Sequence, residues 1–441
     1  MRRARKGLTG LAAVGVAALI LSGCSGNEPA TDDEGRTVVT FWHSMRGNNG
    51  EQLQEYIEEF NDSQSEIFID ASEHGMYDEA YTKLMQVVGT DEAPDLMQIN
   101  SGRVQETVDA GIVAPMQQFI DADDEFDIES LLPVVRDSYA VDGELQYMPQ
   151  AASMEVVFYN VDAFREAGLD PDEPLVTFDD FENAARTLQE ELGMDQGGAF
   201  LINNSGFHSM MSRSGEPMVN NDNGHSAPAT EAVFNSDTGV EIMTWLQEMF
   251  DEGLIGNYGR SHDDMRQPWY TGQIGMIVDT TAATIMHEEA ADFEFDSMPT
   301  PVPNGVEPGQ SPTGGAGVFM LEDSPDETQQ AAYEFVKFLV SPEIQARWAA
   351  NTGYFPVNDG AYEEQVLIDA MDELPALASA NEQAQAADGE AGGLSVLSSV
   401  DISSPIADTW EAIYGGADPQ TALDGAADEV TSLLETYSEA N

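Results

Sequence analysis

The chain has 441 residues, with 16 basic against 81 acidic side chains and a formal net charge of −65 at pH 7. An excess of that sign excludes the clustered Lys and Arg that nucleic acids and anionic lipid surfaces need, so no nucleic-acid partner is expected. With 41% hydrophobic residues and aromatics spread throughout, the chain can build cores rather than remain disordered. The acids then form a solvated coat.

Taken from the start, Arg2, Arg3, Arg5 and Lys6 open a charged segment, and Leu8 to Leu21 is an apolar run diluted by Gly and Ala. That run falls short of the ~20 apolar residues that span a bilayer, and small residues follow it, so it reads as a secretory signal over residues 1–23. Cys24 is the only cysteine of the chain. It has no partner for an internal disulfide and suits an acyl acceptor better. Leu21-Ser22-Gly23-Cys24 resembles a bacterial lipobox. The resemblance implies an exported protein anchored through lipidated Cys24 to the outer face of the cytoplasmic membrane. Without the signal, 12 basic residues face 81 acidic ones. Such a coat repels itself unless salt screens it, and at ~1 M the Debye length is ~3 Å. A salt-adapted protein is therefore expected.

Residues 24–36 read as an acidic tether. Thr37 to Trp42 is a strand pattern, followed by a helix carrying Leu53, Tyr56, Ile57 and Phe60 at 3-4 spacing. Ile67 to Ile69 is a second strand, Tyr81 to Val88 lies on a helix, and Asp95 to Ile99 is a third strand. Strands alternating with helices predict mostly parallel sheets flanked by helices, with ligands bound beyond the carboxyl ends of the strands. The pattern resumes with a strand at Glu155 to Tyr159, helices at Val161 to Gly168, Asp179 to Leu192 and Gly239 to Phe250, and a strand at Ile274 to Val278. Residues 299–317 are dense in Pro and Gly, a crossing segment. Helices are expected at Thr328 to Leu339, Pro342 to Ala350 and Asp418 to Tyr437, and residues 376–393 read as a loosely packed surface insertion.

Several segments together are similar to family-1 bacterial extracellular solute-binding proteins, nearest to the glycerol-3-phosphate-binding branch. They are Phe41-Trp42-His43-Ser44-Met45, Tyr77, Ala93-Pro94-Asp95-Leu96, Val157-Phe158-Tyr159-Asn160, Tyr270-Thr271-Gly272, Thr313-Gly314-Gly315-Ala316 and Thr352-Gly353-Tyr354-Phe355-Pro356-Val357. The resemblance implies an α/β, two-lobed periplasmic-binding-protein-like fold of type II, with a ligand cleft between lobes that close about a hinge. It divides the chain into an N-terminal lobe of residues 37–152 plus 311–365 and a C-terminal lobe of 153–310 plus 366–441. It also implies a monomer that works with ABC permease subunits.

Tyr77, Ser153, Gly315 and Tyr354 match ligand-contacting positions of that branch. Tyrosine offers an apolar face and a polar tip, and glycine admits close backbone approach. His43 and Ser44 follow the first strand. Ser101 stands where the branch has an acidic residue, Thr280 where it has Ser, and Asn203 opens a loop, Asn203 to His208, that replaces a tryptophan-bearing one. Near Ser403 the branch has an Arg, and no Lys or Arg follows Arg347 here. A phosphate dianion wants a charge-assisted partner, which favours an uncharged sugar or polyol. Glycerol 3-phosphate and glycerophosphocholine remain the alternative ligands, and a scaffold or sensor lipoprotein the alternative role. No nucleophile elbow, phosphate loop or zinc-protease motif occurs, so neither an enzyme, a cofactor nor a metal is expected.

Overall fold

The computed structural model describes residues 29–387, 400 and 402–440. The signal segment and Cys24 lie outside the described residues. In chain order the strands are β1 (Thr37–His43), β2 (Ile67–Glu73), β3 (Leu96–Asn100), β4 (Val113–Ala114), β5 (Ala140–Val141), β6 (Glu144–Leu145), β7 (Met148–Ser153), β8 (Glu155–Asn160), β9 (Gln196–Phe200), β10 (Ile255–Asn257), β11 (Ile274–Thr280), β12 (Phe295–Pro299) and β13 (Gly314–Leu321). Two main sheets result, one ordered β2-β1-β3-β13-β4 with β7 also on β13, the other β10-β9-β11-β8-β12.

The expected parallel pairing holds where strands are joined through helices, in β2-β1-β3 and β10-β9-β11. The strands that carry the chain between the sheets run the other way. β13 is antiparallel to β3, β4 and β7, and β8 is antiparallel to β11 and β12. A parallel neighbour needs a long crossover connection, and a strand re-entering a sheet from the other lobe has none.

Alternation along β1 sends Val39, Phe41 and His43 inward. Phe41 meets Phe335 edge-on at 5.8 Å, and Phe60 meets Phe335 at 5.2 Å, so helices Gly47–Ser63 and Asp326–Leu339 cover one face of the first sheet. In the second sheet Phe181, Phe200 and Trp245 pack together against Phe178, which stacks on Trp245 at 4.1 Å. Helix Phe178–Leu192 starts one residue before the expected Asp179, where Thr177 and Asp180 form a capping box.

Three expectations change. The tether is already folded from Ala30 onward. Val38 N donates to Ala30 O at 2.8 Å, and Asp32 accepts from Glu34 N, Arg36 N and Arg36 Nε. The segment expected as a loose insertion holds helix Pro375–Ala386, whose Ala376, Leu377, Ala380, Asn381 and Ala384 are buried. Its alanines permit close approach to β12, where Ser379 Oγ donates to Asp296 at 3.0 Å. Residues 388–393 lie outside the described residues. The expected loop at Asn203 to His208 is instead the start of helix Asn204–Arg213, with Asn203 Oδ1 capping Gly206 N at 3.1 Å.

Candidate interlobe ligand site

The carboxyl ends of β1 and β3, the end of β7 and the start of β13 share one edge of the first sheet, since Asn100 pairs with Ala316 and Ser153 with Gly314. The ends of β9 and β11 and the start of β8 form the matching edge of the second, with Thr280 opposite Glu155. Only Met154 separates β7 from β8. It is stitched to the turn after β11, with Thr281 N donating to Met154 O at 2.9 Å and Met154 N to Thr281 Oγ1 at 3.3 Å. The two edges therefore face each other across a hinge one residue long. Two further strands of chain bridge the lobes. One runs from Pro299 to Gly314, the other from the Phe355 bridge to Ala152 into helices Gln365–Glu373 and Pro375–Ala386.

On the first-lobe edge, His43 is buried beside Glu73, its partner in register. Burial depresses its imidazole, the Glu73 charge opposes that, and His74 adds to it, leaving the ring neutral at pH 7. Ser44 is held by its backbone, whose N–H donates to Gln98 Oε1 at 3.2 Å. Gln98 Nε2 in turn donates to Gln150 Oε1 at 2.6 Å, a buried glutamine pair beneath the edge. The polar tips are left over. His43 Nδ1 and Ser44 Oγ are buried without a hydrogen-bond partner. Buried orphans of this kind cost free energy unless something else supplies the bond.

Tyr77 begins helix Tyr77–Val87 and Tyr354 follows the left-handed cap Gly353 of helix Pro342–Thr352. Tyr354 stacks on Trp348 at 5.6 Å. Burial pushes the Tyr354 hydroxyl up to about 12 and raises that of Tyr77 well above its ordinary value, with Tyr354 and Tyr139 adding to the rise at Tyr77. Tyr139, which sequence reasoning missed, completes this cluster. Its ring packs on Gly317, where a Cβ would come within 2.6 Å of it, and its buried hydroxyl is a further orphan that the Ser101 hydroxyl approaches without hydrogen-bond geometry. Nothing local in the sequence marks Tyr139, because the turn Asp137–Tyr139 reaches the cleft only through the β7–β13 pairing.

Other expected site residues have structural duties. Gly315 has φ +132° and a Cβ there would lie 2.0 Å from Ala151 O, so the close approach it permits is to strand β7. Thr280 caps the turn Thr281–Ala283, accepting from Ala282 N at 3.4 Å. Asn203 caps its helix as described. Ser153, Thr280 and Asn203 all lie at strand ends or a helix start on the cleft edges. Under the second edge, Arg266 forks onto buried Asp279 at 2.6 and 2.9 Å, with His287 Nε2 at 3.3 Å from Asp279 Oδ2. At the rim, Arg46, Glu73, His74, Gly75, Glu79 and Lys83 line a cavity of ≈ 440 Å³ that shares the helix of Tyr77 rather than the tyrosine cluster itself.

The sn-glycerol-3-phosphate-binding periplasmic protein UgpB of Yersinia pseudotuberculosis is 27% identical to this chain, covering 92% of it and 94% of its own length. Among solved structures, the cyclic alpha-maltosyl-1,6-maltose binding protein from Arthrobacter globiformis superposes with a TM-score of 0.75 at 24% identity, over 91% of this chain and 100% of its own. UgpB from Mycobacterium tuberculosis, in complex with glycerophosphocholine, does so with 0.76 at 18%, over 91% and 100%. These likenesses agree with the two-lobed type II fold and its interlobe cleft. The bacterial extracellular solute-binding protein family matches residues 55–379, most of the chain, and the chain belongs to that family, whose members bind solutes rather than transform them.

Proposed function

We propose that the chain is the lipid-anchored, monomeric receptor of an ABC importer, capturing a carbohydrate or polyol between its lobes and handing it to permease subunits. The observation that carries this reading is the convergence of neutral, unpartnered polar tips with aromatic faces at one sheet edge: His43 Nδ1, Ser44 Oγ and the Tyr139 hydroxyl beside Tyr77 and Tyr354. A ligand rich in hydroxyls and C–H faces supplies both needs. Ser101, Ser153, Asn203 and Thr280 add short polar groups around the same cleft, and Gly315 shapes its floor.

The cations support the choice of an uncharged ligand. Among the described residues, ten Lys and Arg side chains each have a carboxylate within 4 Å. Of the other two, Arg213 is buried against the carbonyls of Thr300 and Gly309, and Lys83 lies 3.3 Å from His74 Nδ1. The rim cavity sets Arg46 and Lys83 against Glu73 and Glu79, a balance that does not suit a phosphate dianion. A glycerophosphodiester is the second reading, favoured by the 27% identity with the Yersinia UgpB. Titration calorimetry in molar salt with maltose, trehalose, glycerol 3-phosphate and glycerophosphocholine decides between them. Heat from a sugar is expected, and micromolar binding of glycerol 3-phosphate alone would overturn the assignment.

Anchoring is proposed on Leu21-Ser22-Gly23-Cys24. Each buried methylene of an acyl chain contributes ~0.8 kcal/mol, and more than one chain makes attachment stable. Cys24→Ala is expected to move the protein from the membrane fraction to the soluble one. Retention of the variant on membranes would argue for another anchor.

A further inference from the structure

We propose that the Glu155 carboxyl is a ligand-contacting, specificity-determining group on the second-lobe side of the cleft, taking a hydroxyl or other uncharged oxygen of the ligand as its hydrogen-bond partner. The proposal rests on the solute-binding reading above and adds a residue to it.

Position comes first. Glu155 opens β8 immediately after the one-residue hinge, two residues from Ser153 and opposite Thr280 in register. It is half-buried, at the strand start that directly follows the hinge on the cleft edge. Alternation puts it on the same sheet face as Thr280 and opposite to that of Asp279, which pairs with Val156.

Partnering comes second. The nearby Asp279 carboxylate is saturated, taking the Arg266 fork and Thr280 N at 2.8 Å. Arg266 is thereby spent. Among the described residues no hydrogen bond or ion pair holds the Glu155 side chain. Partial exposure leaves the carboxyl to water in the open cleft, and lobe closure that expels this water would leave it unpartnered unless a ligand oxygen takes the water's place.

The surroundings decide its protonation state. β11 presents Asp279, and behind it the helix His262–Tyr270 presents Arg266 and His262, while helix Thr284–Ala290 presents His287. β12 carries Asp296, opposite Tyr159 toward the far end of the strand. The helix Asn204–Arg213 carries buried His208 and Arg213, and the helix Val161–Ala167 carries Asp162, Arg165 and Glu166 beyond the other end of β8. Removal from water raises the Glu155 carboxyl to about 8, with Asp279 adding to the rise and Arg266 opposing it. At pH 7 the group is the neutral acid, an O–H donor and a C=O acceptor in one.

Closure over a ligand removes more water and disfavours the carboxylate further, so binding takes up a proton near pH 8. Affinity should be flat from pH 6 to 7 and fall by up to tenfold per pH unit above about 8. Maltose and glycerophosphocholine do not change charge in this range and serve as probes, with trehalose as a third. Wild type should weaken roughly tenfold between pH 7 and 9, and calorimetry at pH 8 in phosphate and in Tris should reveal net proton uptake. Glu155→Gln keeps a donor and an acceptor but cannot titrate. It should bind within about threefold of wild type at pH 6.5, stay flat to pH 9 and take up no proton, whereas Glu155→Ala should bind about tenfold more weakly than wild type at pH 6.5 and likewise stay flat to pH 9. Matching pH profiles for wild type and Glu155→Gln, with no proton uptake by wild type, would overturn the proposal while leaving the solute-binding reading intact. No heat from any probe at any pH would overturn that reading and this one with it. If Glu155→Gln fails to fold, proton uptake by wild type alone decides.

Discussion

Arg266→Ala is expected to destabilise the protein by about 3–5 kcal/mol at pH 7, the range found when one partner of a buried ion pair is removed. The Asp279 side chain is fully buried and that of Arg266 is 11% exposed. Truncation therefore strands a carboxylate out of water rather than releasing it. Burial alone raises the Asp279 carboxyl, but contacts with His287 and the Arg266 fork overcome burial and hold it well below the usual carboxylate range. A depressed carboxyl adds stability above its unfolded value of ~3.9, and that stability is lost as pH falls through the folded value. In the variant only the His287 contact is left to offset burial, so the depression shrinks and acid, by protonating Asp279, costs the variant less than wild type. The difference between wild type and variant should accordingly shrink from pH 7 to pH 4.5 in urea denaturation. Adding Asp279→Asn to Arg266→Ala should restore part of the loss at pH 7. A loss below about 1 kcal/mol, or one that does not change with pH, would show that the pair does not carry the second-lobe edge.

Salt should act in the opposite sense to its effect on most ion pairs. Apart from Arg266, nine cations are paired at the surface or just beneath it, and such pairs contribute ~0–1 kcal/mol each, which salt weakens. Against them stand 81 acids and only 12 basic residues outside the signal. Their mutual repulsion reaches ~30 Å at 0.01 M but only ~3 Å at 1 M. Repulsion over the whole surface outweighs the local pairs, so net stabilisation by salt is expected, adding about 10 °C or more to the melting temperature between 0.05 and 2 M NaCl. A melting temperature that stays level or falls over that range would show that the acid coat is tolerated without screening. Comparing NaCl with KCl separates screening, which is common to both, from binding of one cation.

Much of this architecture was legible because its signals are local. Periodic apolar residues located helix Asp237–Asp251 and helix Asp326–Leu339 to within a few residues. Where tertiary contact overrides local character, the reading changed. Alanine-rich Pro375–Ala386 looked loosely packed because alanine is bland in isolation, yet small side chains are what a helix needs to lie close on β12. The polar run after Asn203 looked like a loop because Asn, Ser and Gly are poor helix formers, and burial of Phe207, Met210 and Met211 prevailed.

The cleft divides the same way. The sequence by itself marked the strand ends, and with them His43, Ser44, Tyr77 and Ser101 as candidates, because residues that follow strands in α/β sheets collect at one edge. The family resemblance pointed to Tyr77 again and added Ser153, Thr280 and Tyr354. Only the tertiary structure decided that Tyr139 joins them and that Gly315 is required by the backbone of β7. It alone decided that Asp279 is saturated by Arg266 while Glu155, one register step away, is left open. The physical reason is that hydrogen-bond satisfaction is a property of pairs distant in sequence. A carboxylate's neighbours, and hence its charge and its availability to a ligand, exist only once the two sheets have been brought edge to edge.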